Sequence, residues 1–85
     1  MPEISRFYGI VIIMWPNDHL PPHFHARCGR QTILVRISDG EAIGNFPTAK
    51  LKLVREWWNL HRDELLLNWR LRAQCLPPRY IEPLD

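Results

Sequence analysis

No run of apolar residues in the chain is long enough to cross a bilayer. The longest, Ile10 to Trp15, falls far short of the roughly 20 residues a membrane helix needs. No basic leader precedes it, so the expected location is cytoplasmic. Cysteine is scarce, with only Cys28 and Cys75 in 85 residues. That excludes a disulfide-dense secreted scaffold and predicts two reduced thiols packed as small core side chains. Neither sign of charge dominates: 11 basic residues face 9 acidic ones, for a net charge of +2. Such a balance permits contact with phosphate without demanding it. No internal repeat or low-complexity stretch is present, which excludes a solenoid. The length leaves no room for a second core, so residues 1–85 are read as one domain.

What is present is apolar bulk. Hydrophobic residues make up 46% and charged ones 24%, too apolar for a disordered chain. So short a chain hides only about 60% of its unfolded surface on folding. Large side chains therefore matter disproportionately, and four Trp, three Phe and two Tyr supply them.

The order of these residues predicts an α+β fold: a small antiparallel sheet of three to four strands with two C-terminal helices packed on one face. Tyr8 to Trp15 alternates β-branched and aromatic residues and reads as a first strand, apolar on both faces and so central or covered. The segment from Pro16 to Pro22 is a connection stiffened by its prolines. His23 to Cys28 and Gln31 to Ile37 flank Gly29-Arg30, a tight hairpin signal. Pairing Cys28 with Gln31 sets Ala26 opposite Ile33 and Phe24 opposite Val35. Strand alternation then puts Phe24, Ala26, Cys28, Ile33, Val35 and Ile37 on one face, and His23, His25, Arg27, Thr32, Leu34 and Arg36 on the other.

Ser38 to Glu41 reads as a second turn and Ala42 to Asn45 as a short strand. From Thr48, a candidate cap, the period becomes helical and persists to Cys75. An unbroken helix of that span would be about 42 Å long, too long for so small a domain. A break is expected near His61, with a second helix from Arg62 to Cys75 whose first turn carries Asp63 and Glu64. Pro77-Pro78 ends it, and Arg79 to Leu84 is expected to run extended along the sheet. Trp57, Trp58 and Trp69 are expected between helices and sheet.

Several segments together carry a resemblance. Ile4 to Ile10, Asn17-Asp18-His19-Leu20-Pro21-Pro22-His23-Phe24-His25-Ala26, Trp58, Leu60-His61-Arg62, Glu64-Leu65-Leu66, Asn68-Trp69 and Ile81 to Leu84 resemble the small bacterial family called domain of unknown function 4160. The resemblance implies a stand-alone bacterial protein, often encoded beside another small protein in an arrangement like a toxin and antitoxin pair. It implies no established reaction.

Three readings attach to the histidines. His23 and His25 lie two apart on a strand, so their rings emerge on one side, about 6.6 Å apart along the backbone. In the first, they serve as general acid and base on RNA, with Arg27 and Arg36 stabilising phosphate charge. This reading suits a component of a two-gene module that contacts a neighbouring gene's protein product. In the second, His19, His23, His25 and Asp18, or His61 in its place, bind a divalent transition metal such as zinc. In the third, the imidazoles hydrogen-bond the proline-rich loop and fix its path within a protein-interaction domain.

Overall fold

A computed structural model of the protein describes residues 3–85. Tyr8 and Gly9 both take positive φ, 50° and 78°, the backbone of a two-residue turn whose twist matches its flanking strands. The continuous apolar pattern therefore splits. β1 spans Glu3–Phe7 and β2 spans Ile10–Ile13, paired antiparallel with Phe7 opposite Ile10. The single strand expected over Tyr8 to Trp15 is corrected accordingly. Tyr is a strand-favouring residue, so its position in the turn left no mark on the alternation.

β3, His23–Cys28, and β4, Gln31–Arg36, pair in the expected register, with Ala26 opposite Ile33 and Phe24 opposite Val35. Gly29 supplies the positive φ of the turn between them, 62°. β5 is confined to Ala42–Ile43. The five strands form an antiparallel meander in chain order, one strand more than the upper expectation. β2 is buried along its whole length, as a strand apolar on both faces requires.

α1, Thr48–Leu60, and α2, Arg62–Ala73, break at His61, where φ −123° leaves the helical region. The longest dimension of the molecule, 34 Å, shows why the helical pattern could not continue unbroken. Pro47, not Thr48, occupies the N-cap of α1, and no side chain caps it. α2 ends two residues before Cys75, which turns the chain with φ 59°. Neither thiol is a core residue: Cys28 is half-buried and Cys75 exposed, and both are free.

Both helices cover the face formed by Ile10, Ile12, Phe24, Ala26, Ile33, Val35 and Ile37. Trp57 is fully buried there, its ring 5.5 Å from that of Phe7 and 5.7 Å from that of Phe24. Its indole N–H donates to Glu82 O at 2.9 Å, and that of Trp58 to Ile37 O at 2.9 Å. Each ring thus buries apolar area while its one donor is satisfied. Trp58 also packs on Gly40, where an added Cβ would meet its ring at 2.7 Å.

Besides the bond from Trp57 to Glu82 O, the C-terminal segment is held by Ile4 and Asn68. Ile81 N–H donates to Ile4 O at 2.7 Å, and the Ile81 side chain is buried. Asn68, also buried, donates through Nδ2 to Arg79 O at 2.9 Å and accepts from Arg79 N–H at 2.8 Å. The turn after β4 is fastened differently. Arg36 Nε donates to Asp39 Oδ1 at 3.1 Å, and its Nη2 lies 3.1 Å from Glu41 Oε2.

Two outcomes are expected. Asn68→Ala leaves the Arg79 backbone groups without their partner and costs about 2 kcal/mol. Urea unfolding measures the loss, and faster amide exchange at Ile81 reports release of the segment. Hydrogen bonds from the Arg36 side chain, then from Glu41 N–H, pull the Asp39 carboxyl from 3.8 to about 2. Between those values the unfolded chain binds the proton first, so the stabilisation is present above pH 3.8 and vanishes as the pH falls to about 2. Asp39→Asn should therefore unfold at lower urea than the parent at pH 7 and at the same urea concentration at pH 2.

Candidate metal centre

The connection from Met14 to His23 folds back over the start of β3. Its Leu20-Pro21 bond is cis. Because the alternation of β3 commits Phe24 and Ala26 to the core, His23 and His25 both emerge on the opposite side. Their ring centroids lie 5.2 Å apart at an interplanar angle of 80°. Asp18, from the connection, brings its carboxylate between them. Asp18 Oδ2 lies 3.3 Å from His23 Nε2 and 3.6 Å from His25 Nδ1. Together with the gap between the two imidazole nitrogens, all three separations fall within 4.8 Å.

The protonation of His23 is set by its other nitrogen. Nδ1 lies 2.8 Å from Pro21 O, and a carbonyl only accepts, so Nδ1 carries the proton and donates. In the neutral ring the lone pair is then on Nε2, aimed at Asp18. The ring is buried, with the Trp69 ring 5.3 Å away. Burial above all pushes the His25 imidazole below 6.5; the nearby Asp18 charge opposes this and His23 reinforces it. Burial thus favours the neutral imidazole of His25.

Two of the three converging atoms, Asp18 Oδ2 and His25 Nδ1, are buried and have no hydrogen-bond partner. Their approach is close enough for charge interaction but not aligned as a hydrogen bond. Unpaired buried polar atoms cost of order 1–3 kcal/mol each, so a cluster of them aimed at one point calls for something in the middle. Two donors 2.0–2.1 Å from a tetrahedral zinc ion lie about 3.3–3.4 Å apart. The shorter observed edge, 3.3 Å, matches that value; the second is longer, 3.6 Å, and the edge between the imidazole nitrogens is no more than 4.8 Å.

The other residues singled out from the sequence are placed differently. His19 is exposed, its ring centroid 6.2 Å from that of His23. It borders the cluster without contributing a donor to it. His61 sits at the junction of the helices, its Nδ1 2.6 Å from Glu64 Oε1 and its ring against Trp57. It is not among the converging donors. Arg27 is half-buried on the same strand face as His25. Arg36, opposite His23 in the register, has its guanidinium engaged by Asp39 and Glu41. Pro21 O, which fixes the His23 tautomer, had no sequence signal, because a main-chain carbonyl carries none. Trp69, which covers His23, was anticipated only as a core residue.

No helix among the described residues is long and apolar enough to cross a membrane. No curated protein and no solved structure matches the chain. One family model does, over residues 9–70. That span takes in β2, β3, β4, both residues of β5, all of α1 and the three donors Asp18, His23 and His25. The protein belongs to the family described as Domain of unknown function (DUF4160).

Proposed function

We propose that the protein binds one divalent transition-metal ion through Asp18 Oδ2, His23 Nε2 and His25 Nδ1. The observation that carries this reading is the convergence of these atoms, two of them buried without a partner, at separations suited to a common ion. A purely structural role accounts for His23 Nδ1, which is tied to Pro21 O, and for the 3.3 Å contact of Asp18 with His23, but not for the unpartnered His25 Nδ1. The same Nδ1 bond supports the metal reading as well. Ligating histidines commonly donate their second N–H to a carbonyl, which fixes the tautomer and orients the ring.

Two imidazoles and one carboxylate suit zinc or iron(II) more than magnesium or calcium, which prefer oxygen donors. Neither cysteine belongs to the cluster. Three protein donors leave at least one position for water or for an oxygen of a bound molecule, as in catalytic rather than structural zinc sites. The side chains of Asp18 and His25 retain 19% and 22% exposure, while their converging atoms are buried.

Protein prepared without a histidine tag should bind zinc at one ion per chain in calorimetric titration. Asp18→Ala, His23→Ala and His25→Ala should each weaken binding by more than the roughly 10–100-fold typical of losing an outer partner. The absence of a stoichiometric site in the parent would overturn the reading. Zinc at 100 times its dissociation constant should stabilise the fold by about 2.7 kcal/mol, raising the melting temperature of the parent but not of His25→Ala.

A further inference from the structure

The segment that delivers Asp18 has little of its own to hold it. Within it, the backbone hydrogen bond from Asp18 N–H to Trp15 O is long, 3.4 Å. Met14 anchors its start in the core, but beyond it the large apolar side chains Trp15 and Leu20 point outward with 41% and 71% exposure, so core packing does not pin the part that bears Asp18. Beside it lies an open pocket of about 440 Å³ bounded by Met14, Pro16, Asn17, Arg72, Cys75 and Leu76.

One side chain from the far end of the sequence spans this gap. Arg72, in the last turn of α2, donates through Nη1 to Pro16 O at 3.0 Å and to Asp18 O at 2.8 Å. Its guanidinium carbon sits 3.7 Å above the centre of the Trp69 ring, and that ring packs on the imidazole of His23. The same residue thus grips the main chain of one proposed ligand and backs the ring of another. A planar guanidinium can stack on an aromatic face while its N–H groups bond in its own plane, a combination a lysine ammonium does not offer.

We infer that Arg72 is a positioning residue for the metal centre, clamping Pro16 and Asp18 so that the Asp18 carboxylate stays at the two imidazoles. The inference rests on the metal reading above and assigns that centre a support outside its ligand-bearing segment. Supports of this kind typically govern affinity by about 10–100-fold.

The test compares the parent, Arg72→Met, Arg72→Lys and, as a control on the exposed side of α2, Arg70→Met. Each is titrated with zinc against a competing chelator, then with cobalt(II), whose visible absorption reports the geometry of its ligands. Arg72→Met, which keeps length and apolar contact but loses the donors, should bind zinc about 10–100-fold more weakly and alter the cobalt spectrum. Arg72→Lys, which restores a donor without the planar stack, should recover part of the affinity, and Arg70→Met should match the parent. If Arg72→Met does not fold, the lysine variant carries the test through its altered cobalt spectrum. Parent-like affinity and spectrum in the folded Arg72 variants would overturn the positioning role while leaving the metal reading intact. Failure of the parent itself to bind either ion would overturn both, and the parent titration alone reveals which has happened.

Discussion

Strand β3 has to satisfy two environments within six residues. Phe24 and Ala26 belong to the core beneath the helices, and strand geometry then leaves His23 and His25 no choice but the other side. Everything proposed for the site depends on this alternation. A slip of one residue against β2 and β4 would turn both imidazoles toward the isoleucines of the opposite face and Phe24 away from them, so the core packing that fixes the register also fixes the donors. The cost of ordering those donors is carried by contacts that the core requires in any case.

The polar cluster differs from the buried polar groups of Asn68 and Trp57. Asn68 spends both ends of its amide on Arg79, and the buried Trp57 finds an acceptor for its single N–H. Asp18 Oδ2 and His25 Nδ1 have no such partner. Ser5 Oγ and Arg72 Nε are unmet as well, but Asp18 Oδ2 and His25 Nδ1 lie only 3.6 Å apart, so two unmet atoms face each other at one point.

Much of this was legible from the residues because it depends on short-range periodicity. The hairpin of β3 and β4, its register, the common face of the two histidines and the helix break at His61 follow from alternation, a glycine turn and a limit on length. Asp18 was visible as a neighbour in sequence, though only folding shows its carboxylate shared between both rings. The turn at Tyr8-Gly9 was hidden because a strand-favouring residue occupies it. The contact of Arg72 was not legible: its bond to Asp18 O joins residues far apart in the chain, and no local pattern encodes it. His19 and His61 were candidates by residue type alone, and position separates them from the cluster.

The meander order of the sheet means that each strand finds its partner next door in sequence. Loops of this kind close in microseconds, so the five strands can zip progressively from either end. The bond between Ile81 and Ile4 is of another sort, since it joins the last extended segment to the first strand. Every other strand and both helices stand between the two residues in sequence. That contact makes the molecule a closed circuit: the outer strand, otherwise a bare edge open to pairing with foreign chains, is shielded along part of its length by the tail of its own polypeptide.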